Sequence, residues 1–282
     1  MRRLAICVMA LLLVGGLAAS AVAGSVFLTG HDPDFHALLG GNAVGAQHIN
    51  QTAINFVMDP AFNSFVAAGA TKFLFVESQI SPPAGHVDGI NGIIASGYTL
   101  GVNFDLATAA TLNTALNSLG STYGAIVVAS DFGGILTQAE LDILNNRKGD
   151  IINFLNNGGG LYAMAESNSG AGLTPDDTFF GYLPFVVSSA QKNESEIGNT
   201  VTPFGASLGL TDADVNGNAS HNIFAGTFGF LDVVDFDSSG DILSLAGRPA
   251  IIPIPIPSSV LLLGTGLLNF LGLGYLRRRQ KG

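Results

Sequence analysis

Residues 123–131 (YGAIVVASD), 136–157 (LTQAELDILNNRKGDIINFLNN) and 158–167 (GGGLYAMAES) read as strand, helix and strand. The apolar run from Ala125 to Ala129 has the pattern of a strand buried on both faces of a parallel sheet. Thr137 with Glu140 three residues on is a capping box, and Leu136 and Leu141 occupy the staple positions around it. Leu141, Leu144, Ile151, Ile152 and Leu155 then recur at helical spacing, interrupted only at Lys148 and Gly149. Asn157 and three glycines end the helix, and residues 161–165 return to buried-strand character. Parallel strands require such a crossover, so the body is expected to be α/β with a doubly wound, mostly parallel sheet.

The same alternation extends toward the N-terminus. Residues 25–29 and 72–76 read as buried strands, and residues 98–104 as a third ending at Asp105. Residues 46–58, 86–96 and 108–119 read as helices. Beyond Gly170 the pattern loosens: residues 170–209 have no clear period and read as an insertion or long excursion. Residues 228–236 and 242–245 read as late strands, an antiparallel edge or hairpin.

The termini carry an address. Residues 1–23 combine Arg2 and Arg3, an apolar run and the ending Ala21-Val22-Ala23, the build of a secretory signal peptide removed by signal peptidase. The single cysteine, Cys7, lies within that segment, so the mature protein has neither a disulfide nor a thiolate nucleophile. Between them, residues 24–250 form one large domain in which five lysines and arginines face all 21 acids. Such a body repels phosphate backbones, which argues against a nucleic-acid partner.

At the other end, residues 251–257 include Pro253, Pro255 and Pro257, residues 258–276 are apolar, and residues 277–282 begin Arg277-Arg278-Arg279. Alternating proline makes an extended spacer. Nineteen residues of helix span about 28 Å, close to the hydrocarbon thickness. The arginines then form a basic cytoplasmic tail by the positive-inside rule. This order resembles the bacterial PEP-CTERM sorting signal in a Pro-x-Pro variant without the namesake glutamate. The resemblance implies transient anchoring in the inner membrane with the body outside, processing by an exosortase-type enzyme, and delivery to the cell envelope or extracellular matrix. A permanent single-span anchor has the same topology.

A second resemblance covers residues 25–245. Thr29-Gly30-His31 after the opening strand, Gly158-Gly159-Gly160-Leu161, and residues 220–226 (SHNIFAG) resemble the class I glutamine amidotransferase-like superfamily, including its trehalose-utilisation-type members. The last segment is similar to His-Pro-Ile-Phe-x-Gly, with Asn222 in the place of proline. The resemblance implies a flavodoxin-like sheet. Working amidotransferases carry a cysteine on the turn that here holds Ala165, Glu166 and Ser167, so glutaminase chemistry lacks its nucleophile. Glu166, Ser167 and His221 remain the catalytic candidates, with Ser167 equally suited to a turn or cap.

In open α/β sheets ligands bind beyond the carboxyl ends of the strands. Those ends carry His31, Asp32, Asp34 and His36, then Glu77, then Asp131, then Glu166 and Asn168. The expectation is a shared polar cleft containing His31, Asp32, Asp131 and Glu166, able to hold a divalent cation or to bind sugar hydroxyls. Asp212, Asp214 and Asn216 precede Gly217 with the spacing of a Ca²⁺ loop, and Asp235, Asp237 and Ser239 precede Gly240 in the same way. Neither loop has the closing glutamate, and Asx turns explain the same residues. The combined expectation is a non-catalytic surface or matrix protein with exopolysaccharide as a candidate partner. The alternative is a secreted hydrolase or carbohydrate-modifying enzyme working from the carboxyl edge.

Overall fold

The computed structural model describes residues 24–78, 89–131, 136–166 and 179–248. The signal segment, the proline motif with the apolar segment and arginines behind it, Ser167 and Asn168 lie outside the described residues. Among the described residues no helix is long and apolar enough to cross a membrane.

In chain order the elements are β1 (Ser25–Thr29), α1 (Pro33–His36), α2 (Ala43–Val57), α3 (Ser64–Ala67), β2 (Lys72–Val76), α4 (Gly89–Ala95), β3 (Phe104–Ala107), α5 (Leu112–Ala115) and β4 (Tyr123–Val128). They continue with α6 (Gln138–Asn146), α7 (Lys148–Asn156), β5 (Gly160–Ala163), β6 (Ser188–Ser195), β7 (Thr200–Val201), α8 (Pro203–Ser207), β8 (Ala219–Ala225), β9 (Asp232–Phe236) and β10 (Ile242–Gly247). The protein is α/β. Its sheet runs β3-β2-β4-β5-β1-β10-β8-β6, with β9 against β10 and β7 against β9.

The first five strands are parallel throughout this order. Their side chains alternate between two cores. Val26, Leu28, Leu74, Val76, Ile126 and Val128 pack with Leu141, Leu144, Ile151 and Leu155 of α6 and α7. Phe27, Phe73, Phe75, Val127 and Tyr162 pack on the other side with Ile49, Ala53 and Val57 of α2 and with Ile93 of α4. Helices on both faces explain why these strands read as continuous apolar runs.

Four sequence expectations need correction. The 137–157 helix is two helices, because Arg147 leaves helical geometry at φ −95° and ψ 14°. Its guanidinium is held by the Asn113 carbonyl at 2.7 Å and by Asn117 Oδ1 at 2.9 Å. The strand expected at 98–104 begins only at Phe104. Gly101, at φ 80°, turns the chain before it, leaving Leu100 and Val102 exposed. The helix expected at 108–119 shrinks to α5 and one 3₁₀ turn, Leu116–Ser118.

The fourth correction concerns topology. The late strands do form a hairpin, but β10 is no edge: it lies antiparallel to β1, with Leu28 opposite Leu245. The supposed insertion contributes β6, antiparallel to β8. The parallel block is therefore continued by an antiparallel half.

Candidate functional site

All the sequence-selected acids and histidines that the structure describes in the parallel block leave it at one edge, because β1, β2, β4 and β5 run the same way. They do not share one cleft. They divide among separate buried groups.

The exit of β1 makes the first division. Gly30 sits so close to β8 that a Cβ there would stand 1.8 Å from the Asn222 carbonyl oxygen. The close approach lets the His221 N–H donate to the Gly30 carbonyl at 2.9 Å, which carries residue 221 to the side of Asp32. His31 instead points toward the antiparallel half. Its Nδ1 contacts Glu196 and its Nε2 meets Asp235 Oδ2 at 2.8 Å, with all three residues buried. Burial opposes the imidazolium, but the two carboxylates outweigh it and raise the His31 pKa well above its ordinary value. The two buried carboxyl groups thus favour the charged form of the His31 ring.

Asp32 is fully buried and stands between two other histidines. Its Oδ1 lies 3.1 Å from His36 Nε2, one helical turn on, and its Oδ2 lies 3.1 Å from His221 Nε2. The two rings are nearly parallel, 6.4 Å apart at 6°. Burial by itself would raise the Asp32 pKa, yet His221 and His36 reverse that and hold it below the usual carboxylate value. Burial likewise works against a charged His36, while Asp32 and the Leu39 carbonyl raise its pKa. Asp32, His36 and His221 offer ligand atoms that all lie within 4.8 Å of one another.

Asp34 turns to β4, accepting from Ser130 N–H at 2.9 Å and from Ser130 Oγ at 2.8 Å. Burial first, and the Asp32 charge second, raise its pKa to about 6. Glu77 accepts the Ile90 N–H at 2.7 Å and so ties β2 to the start of α4. Asp131 is buried at the end of β4, where its N–H donates to the Ala165 carbonyl at 2.8 Å.

Glu166 is fully buried after β5. Its Oε2 accepts the Phe180 N–H at 2.6 Å, and its Oε1 contacts the Tyr182 hydroxyl. Phe180 holds a left-handed φ of 53°, a conformation that disfavours bulky side chains. Burial raises the Glu166 pKa to about 8 against the pull of those two donors, so it is a neutral acid at pH 7.

The calcium-like loops are tied to protein partners. Asp212 Oδ1 accepts the Val201 N–H at 2.8 Å. Asp214 Oδ2 accepts the Thr211 N–H at 2.8 Å, and its Oδ1 faces His48 Nδ1 at 2.9 Å. Asn216 Oδ1 accepts the Asn199 N–H at 2.9 Å. These three side chains serve separate protein partners, as Asx-type turns do. In the second loop Asp235 is committed to His31, and Asp237 Oδ1 accepts the Ser239 and Asp241 N–H groups at 2.7 and 2.8 Å. The Lys192 ammonium bridges Asp237 and Asp241, giving that loop a cation from the chain itself.

Sequence reasoning missed Glu196, Tyr182 and the pairing of Asp235 with His31. No motif marks Glu196 or Tyr182. Asp235 was visible only as the first position of a loop pattern. The described residues also form an open groove of about 440 Å³ away from this edge. His48, Gln51, Thr52 and Asn55 line it at helical spacing along α2, with Asp59 and Arg248 beside them. The Arg248 guanidinium lies 4.2 Å from the Phe56 ring centre and 3.6 Å from that of Phe62. No protein-family model and no curated protein matches this chain.

Proposed function

We propose that the chain is an exported cell-envelope or matrix protein, sorted through a PEP-CTERM-type tail, whose body binds polysaccharide rather than catalysing a reaction. The non-catalytic reading is supported by one observation above all. The described carboxyl-edge acids and histidines are buried and engaged with one another or with backbone groups, whereas a hydrolytic centre needs a nucleophile and base facing a substrate cavity. The hydrolase alternative draws on the Asp32–His221 pair, the orienter and base of a triad. In that pair the His221 Nε2 faces Asp32 Oδ2 at 3.1 Å.

The parallel block supports a flavodoxin-like reading with one strand transposed. Its order 3-2-4-5-1 becomes the flavodoxin order 2-1-3-4-5 when β1 takes the fifth place. An amidotransferase-like body of this kind would keep the scaffold without the cysteine chemistry.

The sorting part predicts the mass of the protein recovered from the envelope or matrix of its native host. It should lack residues 1–23 and everything beyond the proline motif. Mature protein still carrying Arg277, Arg278 and Arg279 would replace sorting by permanent anchoring.

Sugar binding is assigned to the α2 groove. Its amides, hydroxyl and charged groups can exchange hydrogen bonds with sugar hydroxyls, and it is open where the described carboxyl-edge side chains are buried. On a glycan array the full chain should bind an extracellular polysaccharide, and Asn55→Trp, which fills the groove, should reduce that signal at least tenfold (about 1.4 kcal/mol). Equal binding by the variant would remove the groove from the reading; no binding by either protein would remove the sugar.

A further inference from the structure

We propose that Asp32, His36 and His221 form a site for a divalent first-row transition metal ion, with zinc the best match. Two imidazoles and one carboxylate are a standard nitrogen–oxygen donor set for such ions, whereas calcium and magnesium prefer oxygen alone. The donors come from distant parts of the chain, Asp32 and His36 from the turn after β1 and His221 from β8. Their convergence is a product of folding and not of local sequence.

Three features favour an ion over a simple charge cluster. The first is alignment. Both Asp32 oxygens lie 3.1 Å from an imidazole Nε2, yet among the described residues neither accepts a hydrogen bond of ordinary geometry. Donor and acceptor in a hydrogen bond point at each other, whereas neighbouring metal ligands point at a shared centre. The second is spacing. Metal bonds of about 2.0–2.1 Å place tetrahedral ligand atoms about 3.4 Å apart. The Asp32 contacts are already near that value, and small ring rotations bring the remaining pair together from within 4.8 Å.

The third feature is the surrounding of His36. Its Nδ1 sits 2.8 Å from the Leu39 carbonyl oxygen, to which it donates. A backbone carbonyl on the far nitrogen is the usual outer partner of a metal-binding imidazole, because it fixes the ring and leaves the Nε2 lone pair for the ion. Among the described residues the competing donor to Nε2 is the Ala219 N–H at 3.4 Å, long enough to yield to a metal bond. The side chains of His36 and His221 are 11% and 6% exposed, so the ion can enter past their ring edges.

The test uses the untagged full chain in detergent, stripped with a chelator and then equilibrated with Zn²⁺. One zinc per chain should remain through gel filtration, and Co²⁺ in its place should give visible absorption bands from imidazole coordination. His36→Gln, His221→Gln and Asp32→Asn should each weaken zinc binding by at least about 10–100-fold, the loss seen even for outer partners of metal ligands. Circular dichroism identifies any variant that fails to fold. The wild-type measurement alone is decisive: a folded wild type that retains no stoichiometric zinc and gives no cobalt bands overturns the site. Folded variants that keep zinc as tightly as wild type overturn it as well, since the ion then resides elsewhere, for example at His48 and Asp214.

Discussion

Replacing His31 by leucine should destabilise the body by about 3–5 kcal/mol at neutral pH, the range for removing one partner of a buried ion pair. Leucine fills the space but leaves Glu196 and Asp235 buried without their cation. The origin of the effect is electrostatic, so pH should report on it. Because the folded His31 holds its proton more tightly than the unfolded chain, its contribution is complete below about pH 6.5 and is lost as pH rises through the raised folded value. Urea unfolding of wild type and His31→Leu, followed by near-ultraviolet circular dichroism of the tyrosines, gives both numbers. The gap should be widest near and below pH 6.5 and narrow in alkali. A gap under about 1 kcal/mol at pH 6.5 would mean that the two acids find other donors and that His31 is no keystone.

Glu166→Gln should act in the opposite direction. With a folded pKa of about 8 against an ordinary value of 4.5, the folded state keeps a proton that the unfolded chain releases. Stability must therefore fall as pH rises between those two values, by about 3–5 kcal/mol in total at roughly 1.4 kcal/mol per unit. Glutamine cannot ionise, still accepts the Phe180 N–H and can donate to Tyr182. The variant should match wild type near pH 4.5 and exceed it increasingly toward pH 9. Asp34, with its pKa near 6, and His31 also make wild-type stability fall with pH, but they are present in both proteins and cancel in the difference. Parallel stability curves for the two proteins across this range would show that Glu166 is ionised in the folded state.

The parallel block was legible in the sequence because it is buried on both faces. Residues such as Phe73 to Val76 and Ala125 to Val128 have no polar member to confuse the pattern. The antiparallel half was not legible for the converse reason. β6 is an edge strand of serine, glutamine, lysine and asparagine with no apolar alternation. The capping pair Thr137 and Glu140 placed a helix start that the structure keeps, with the Thr137 N–H donating to Glu140 Oε2 at 3.0 Å. The break at Arg147 depends on partners in another element, which local periodicity does not see.

The candidate site was half legible for a related reason. Strand direction alone sends His31, Asp32 and Glu166 to one edge. Which way His31 and Asp32 turn is decided by Asp235 of β9 and His221 of β8, and Glu166 turns to Phe180 and Tyr182, none of which a sequence argument had placed beside these residues. His221 was therefore read as a catalytic candidate with no sign of its contact to Asp32.

The position of β1 has a consequence for timing. The first strand of the body is held between β5 and β10, pairing Val26 with both Leu161 and Gly247. A chain that crosses a membrane N-terminus first exposes β1 early and must keep it waiting until almost the whole body has followed. Contacts so far apart in sequence close slowly. On the proposed export route, the long delay would keep the emerging chain thread-like while it is still being pulled through, and would leave the bare flanks of β1 in need of a chaperone on the far side.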